Sequence, residues 1–237
     1  MEALFRADAY LRACEAVIQS VDAVGVRLDR TVFYPNGGGQ PGDTGVFRAA
    51  DGRSFRIKDA IKGDAGPDDV LHVLEDSDGD APTPGLSVTA EIDWERRHRH
   101  MRMHTALHLL CAVVPGAITG AQVGADKSRV DFNVPTDSLD KAALAAAVNE
   151  LVARDIPVVL RWISDAELEA QPELIRTMSV KPPMGFGQVR LVDVAGVDLQ
   201  PCGGTHVART GEIGRLDVVK IENKGKQNRR IVVALAD

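Results

Sequence analysis

The 237-residue chain has only three cysteines, Cys14, Cys111 and Cys202. Three thiols cannot staple a chain of this length, so a disulfide scaffold is excluded and a reducing compartment is expected. No run approaches the roughly 18 consecutive apolar residues that a membrane helix needs. The opening MEALFRADAYLRACEAV carries acids early and no long apolar stretch, unlike a signal peptide. A cytoplasmic protein that makes no membrane contact is therefore expected. Basic residues are not in excess either: 28 Lys and Arg stand against 34 Asp and Glu, a formal net charge of −6. This argues against a generally basic nucleic-acid binder but says little about local patches. Charge is in fact uneven, acidic over DAGPDDVLHVLEDSDGD and basic over WERRHRHMRMH and KGKQNRR. Internal repeats and low-complexity tracts are absent as well.

What remains is an ordinary globular composition, 44% hydrophobic and 26% charged, in a chain long enough for one large or two small domains. Up to residue 90, short strand-like stretches (AVIQSV, GVRLDRTVFY, DTGVFRAA, RSFRIKDAI, DVLHVLE) alternate with Gly, Asp and Pro clusters, the pattern of a small β-barrel or sandwich. The Pro- and Gly-containing SDGDAPTPGLSV then marks a boundary near residue 90, dividing the chain into 1–90 and 91–237. After it, Asp93 stands as N-cap of a helix with apolar residues at Met103, Ala106, Leu107, Leu110 and Val114, ended by Pro115 and Gly116. DKSRVDFNV alternates like a strand, SLDKAALAAAVNELVARDI reads as an amphipathic helix capped by Ser138 or Asp140, and SDAELEAQ as a short capped helix. PVVLRWI, QVRLVDVAGVDLQ, IGRLDVVKIENKG and NRRIVVALA are strands expected to pair into one antiparallel sheet with helices on one side. The fold class is α+β, a small barrel followed by an α+β domain.

Within the first helix, RMHTALHLL places His104 and His108 four residues apart, so both imidazoles project from one face. His100 continues the row one turn earlier. A solvated or half-buried histidine stripe has the same spacing. Against it, His104 and His108 sit among apolar residues, where an unpaired imidazole carries a desolvation cost. PCGGTHV adds Cys202 and His206, a soft thiolate and a further nitrogen, a donor set suited to zinc. Thr105 stands where the His-Glu-x-x-His protease signature has glutamate, and no Cys-x2-Cys pair marks a zinc finger. FYPNGGGQPGDTG lacks both the Gly-x-Gly-x-x-Gly-to-helix context of a dinucleotide site and the Lys-Ser/Thr of a P-loop; a hairpin is its plain structural reading.

HTALHLL, GAQVGADKSRVDF, CGGTH and KGKQNRRI, in this order and preceded by FYPNGGGQPGDTG, resemble the editing domain of alanyl-tRNA synthetase. With no aminoacylation domain attached, nearly the whole chain resembles the freestanding AlaX family, in its larger form with the glycine-rich segment. The resemblance implies a trans-editing hydrolase that deacylates tRNA(Ala) mischarged with serine, or with glycine, as a monomer or a dimer. It also implies one zinc ion on His104, His108, Cys202 and His206, Thr105 reading the serine hydroxyl, and Gln122 lining the amino-acid pocket. Contacts to tRNA are expected from Gly38, Gly39 and Gln40, and from Arg97, Lys224, Lys226, Arg229 and Arg230, with Arg96, Arg99 and Arg102 nearby. The alternative from another class is a non-catalytic zinc module that binds RNA or a synthetase.

Overall fold

The computed structural model describes residues 1–76, 81–135, 139–177 and 187–236, and divides into two compact units, Met1–His98 and Arg99–Asp237. The first unit contains β1 (Glu2–Ala3), β2 (Ala13–Val21), β3 (Val26–Leu28), β4 (Arg30–Thr31), β5 (Gly45–Ala49), β6 (Ser54–Lys62), β7 (Val70–Leu74) and β8 (Ser87–Ile92). Six of these close into a barrel in the order β2-β3-β7-β6-β5-β8, and β1 pairs with β4 in parallel. Alternation along the strands drives the closure: Phe47, Ala49, Phe55, Ile57, Val88, Ala90 and Ile92 turn inward and are buried. The barrel centre also holds a histidine. His72 on β7 places Nδ1 2.8 Å from Val26 O and Nε2 2.8 Å from Thr31 Oγ1, with Phe33 and Phe47 against its ring.

The glycine-rich segment is built into this unit as a tight turn. Gly37 and Gln40 exchange backbone hydrogen bonds of 3.0 Å, with Gly38 and Gly39 between them at φ +59° and +83°. Two successive positive φ values define the two-residue hairpin turn that favours glycine. Just beyond it, a Cβ on Gly42 would meet Ala60 O at 2.0 Å, so only glycine fits there.

The division between the units falls inside α1 (Trp94–Val113). Asp93 caps this helix, its Oδ1 accepting from the Arg96 N–H at 3.2 Å. From Met101 to Cys111 every residue except Arg102 is buried, so the apolar stripe expected from the sequence is part of a helix enclosed on all sides.

The second unit adds β9 (Ala117–Gln122), β10 (Lys127–Asn133), α2 (Lys141–Ala153), β11 (Val158–Ser164), α3 (Asp165–Glu169), β12 (Gln188–Val194), β13 (Asp198–Pro201), β14 (Leu216–Asn223) and β15 (Asn228–Leu235). These strands form two antiparallel sheets where the sequence suggested one: β14-β15-β10-β9 and β11-β12-β13. The chain leaves β13 at Pro201 and enters an irregular Cys-Gly-Gly-Thr-His turn, so no ladder joins the sheets. β9, unrecognised in the sequence, pairs with β10.

α2 begins at Asp140, whose Oδ1 accepts from the Ala143 N–H at 2.7 Å; Ser138, the other expected cap, lies outside the described residues. Asn149 on α2 holds edge strand β14 by donating to Leu216 O (2.8 Å) and accepting from its N–H (2.9 Å). α3 opens with a reciprocal Ser164–Glu167 capping box. Leu168 and Leu174 cover Val189 and Leu191 on one face of the three-stranded sheet.

Candidate metal centre

α1 and the turn after β13 bring together the two segments that the sequence keeps nearly a hundred residues apart. One ligand atom from each of His104, His108, Cys202 and His206 lies within 4.8 Å of the others. Cys202 Sγ is 3.3 Å from His206 Nε2 and 3.5 Å from His104 Nε2. The rings of His104 and His108 approach that of His206 to 4.4 and 4.7 Å between centroids. Donor atoms around a tetrahedral zinc, bonded at 2.0–2.3 Å, stand about 3.5 Å apart, so the spacing and the three-nitrogen, one-sulfur donor set both fit such an ion. His100, also buried on α1, is not one of the four.

The outward nitrogens of two ligands are held in turn. His108 Nδ1 lies 2.8 Å from Asp198 Oδ2, the same oxygen that accepts from Gln200 Nε2 at 2.8 Å. A carboxylate there places the proton on Nδ1 and turns Nε2 towards the centre. His206 Nδ1 lies 3.1 Å from Thr105 Oγ1, which donates to Met101 O (3.0 Å) and accepts from the Val207 N–H (3.2 Å). With the proton on His206 Nδ1, the one donor and two acceptor sites of the Thr105 hydroxyl are all engaged. Thr105 is fully buried, and these contacts tie its hydroxyl to His206 and to the backbone.

The Cys-Gly-Gly-Thr-His turn is anchored by Arg190 on β12, which donates to Cys202 O (2.9 Å) and Gly204 O. The Gly204 N–H points at Cys202 Sγ (3.4 Å). Asp198, Gln200 and Arg190 were not singled out from the sequence. A signal for two of them was there, since Asp198 and Gln200 alternate along β13 and Cys202 follows two residues after Gln200, just past the strand end.

Electrostatics favour a thiolate at Cys202 and a neutral ring at His206, two of the states a metal site needs. Burial opposes ionisation of Cys202, but the neighbouring imidazoles, His104 foremost, outweigh it and hold the thiol well below its usual value. Burial and the neighbouring His104 push His206 down to about 3, keeping it neutral. Burial acts on His108 in the same sense but is outweighed by Asp198 and the Cys202 sulfur, which raise it to about 9. Positive charge is thus stabilised beside Asp198, where a bound cation would supply it. Cys111, pushed up to about 12 by burial, is no competing thiolate.

Over its whole length the chain is 41% identical to the alanyl-tRNA editing protein AlaX-M of Methanosarcina acetivorans, covering 99% of that protein. The chain belongs to the AlaX family of alanyl-tRNA editing proteins. AlaX-M of Saccharolobus solfataricus is 33% identical over 97% of both chains. Alanine–tRNA ligase of Pyrobaculum calidifontis is 36% identical over 92% of this chain and 25% of the ligase. Residues 189–232 match the second additional domain of threonyl and alanyl tRNA synthetases, and residues 5–96 match the class II (A) tRNA synthetases. In this AlaX chain the cysteine of the centre lies within the first of those matches and His104 and His108 lie in neither.

Several residues expected at a tRNA surface are placed otherwise. Arg97 is 0% exposed; its guanidinium is consumed by Asp43, Ala9 O (3.0 Å) and Val32 O, leaving no surface for a phosphate. Arg96 donates to Gly42 O, Arg99 to Ala125 O and Arg102 to Ile213 O. Each of these three half-buried arginines thus gives at least one donor to a backbone carbonyl. Arg229 is buried and donates to the carbonyls of Gly225, Lys226 and Asn228, while Arg230 forks onto Asp131 (2.8 Å to each oxygen). Lys224, Lys226, Gly38 and Gly39 are exposed and Gln40 is buried. Lys224 pairs with Glu222 at 3.3 Å. Gln122 is exposed on β9 and accepts from Arg129 Nε (3.1 Å).

Proposed function

We propose that the protein hydrolyses the ester of serine, or of glycine, on tRNA(Ala), as a metal-dependent editing enzyme of the cytoplasm. The observation that carries this is the convergence of His104, His108, Cys202 and His206 in a chain that matches freestanding AlaX proteins from end to end. The editing chemistry is assigned to residues 91–237 and a supporting role to the barrel of residues 1–90.

In the reaction water adds to the acyl carbon, the bond to the ribose oxygen breaks, and the proton passes to that oxygen, releasing the amino acid. A bound zinc would supply Lewis acidity, polarising an oxygen or lowering the pKa of a water. The chain's own part is to hold three imidazoles and one thiolate in fixed orientations, through Asp198 on His108 and Thr105 on His206. Thr105, next to His104 in sequence and in contact with His206, is assigned to reading the serine hydroxyl. Exposed Gln122, steadied by Arg129, is assigned to the amino-acid side of the substrate, and exposed Lys224 and Lys226 to tRNA phosphates.

Editing answers a physical limit: a pocket built for alanine cannot strongly reject an isostere that merely adds a hydroxyl, so a second hydrolytic site is needed. The test is a deacylation time course on Ser-, Gly- and Ala-tRNA(Ala), before and after chelation. Loss of serine or glycine that chelation stops and zinc restores is the expected result. Survival of all three esters would leave a non-catalytic binding module.

A further inference from the structure

We propose that Trp162, with Leu160 beside it, is a stacking platform for the terminal adenine of the tRNA; this rests on the editing reading. The register of the three-stranded sheet carries the inference. Trp162 on β11 lies directly opposite Arg190 on β12. Arg190 in turn lies opposite Cys202, whose N–H donates to Arg190 O (3.1 Å) one step beyond the Leu191–Pro201 pair. Residues directly opposite across antiparallel strands project from the same face. Trp162, Arg190 and Cys202 therefore form one row on one face, and Leu160, Val192 and Gln200 form the next. This is the face that carries the centre, since Gln200 and Asp198 from it reach His108.

The exposure along this row is graded. Arg190, Val192 and Val194 are buried, whereas Trp162 is 48% exposed and Leu160 stands exposed beside it. Among the described residues, three of the six exposed large hydrophobics (Val159, Leu160 and Trp162) lie on β11, and of these Leu160 and Trp162 share the face of the centre. The other tryptophan differs. Trp94 stacks on His98 (5.2 Å) and lies under the Arg12 guanidinium (4.4 Å). Among the described residues no ring contact or side-chain hydrogen bond engages Trp162. Two strand spacings, about 10 Å, separate its column from that of Cys202.

A scissile ester at the centre belongs to the 3′-terminal nucleoside, whose base is single-stranded and one sugar away from the reacting carbonyl. A half-exposed indole on the same face, a short step from Cys202, matches that base in chemistry and reach. Aromatic stacking is how proteins hold unpaired bases. Arg190 lies between the two sites and keeps the turn that bears Cys202 in register with the strand that bears Trp162.

The experiment uses the full-length metal-loaded protein. Trp162→Ala is expected to raise KM for Ser-tRNA(Ala) deacylation about tenfold with kcat little changed, the pattern of a lost uniform binding contact, and Trp162→Phe to recover most of it. In a Trp94→Phe background the remaining indole reports binding directly, and the trinucleotide CCA is expected to quench its fluorescence saturably. Unchanged KM in Trp162→Ala, in a preparation whose parent edits normally, overturns the platform and leaves the editing reading intact. Absence of quenching by CCA overturns it even if the parent shows no deacylation. A dimer in sedimentation that Trp162→Ala dissociates would assign the strip to a second copy of the chain and equally overturn the proposal.

Discussion

His72 in the barrel and the histidines beside Cys202 are all buried, yet they are satisfied in opposite ways. Both nitrogens of His72 are taken by Val26 O and Thr31 Oγ1, and nothing about that ring calls for a further partner. In the centre of the second unit only the outward nitrogens of His108 and His206 are tied down, while their inner nitrogens converge with those of His104 on one thiolate. A closed hydrogen-bond pair makes a core; an open convergence of like donors makes a binding site. Arg97 and Asp43 repeat the first pattern, a buried charge matched within its own unit.

Cys202→Ala should break the contrast most. It removes the only thiolate of the set, so metal content is expected to fall from one per chain to a small fraction and deacylation by more than about a hundredfold. Full retention of both would remove the cluster from consideration. On the barrel side, Asp43→Ala strands the Arg97 charge in a dry interior. A loss of about 3–5 kcal/mol of stability in denaturant titration is expected, and an effect below about 1 kcal/mol would show that water reaches the pair.

The next largest effect is a pH dependence. Burial, against weaker support from Val26 O, lowers His72 from 6.5 to about 4. The unfolded chain therefore takes up a proton that the native ring refuses across that interval. Stability from this site is complete above pH 6.5 and drains as pH falls towards 4, by about 3 kcal/mol at about 1.4 kcal/mol per pKa unit. Comparing the acid limb of stability with that of His72→Asn isolates the contribution; identical limbs would contradict it. Asp198→Asn sharpens the comparison from the other unit. It keeps the shape but weakens the hold on His108, and about a 10–100-fold loss of metal affinity is expected in competition with a chelator.

Much of the local structure was legible in the residues. The His104–His108 spacing worked because a helix places i and i+4 on one face whatever lies around it. Asp93, Asp140 and Ser164 could be read as caps because a cap is settled by its own few neighbours. The arginines of α1 were less transparent. Their composition suggests a phosphate-binding face, but a guanidinium serves backbone carbonyls equally well, and only the folded chain shows that Arg97 and Arg102 are used that way. Thr105 carries the same lesson. Its neighbour His104 is a candidate ligand, but its hydroxyl meets Val207 and the His206 ring, a hundred residues on.

The sequence by itself determined the donors: which residues bear imidazole and thiol, their helical and turn spacing, and the alternation that closes the barrel. These follow from short-range geometry, the 3.6-residue and two-residue periods of helix and strand. Only the tertiary structure decided that α1 meets the turn after β13, that Asp198 and Thr105 orient two of the ligands, and that Trp162 and Cys202 share a row. Each depends on strand register and long-range packing, which side-chain pairing sets across the whole chain and which no local pattern encodes.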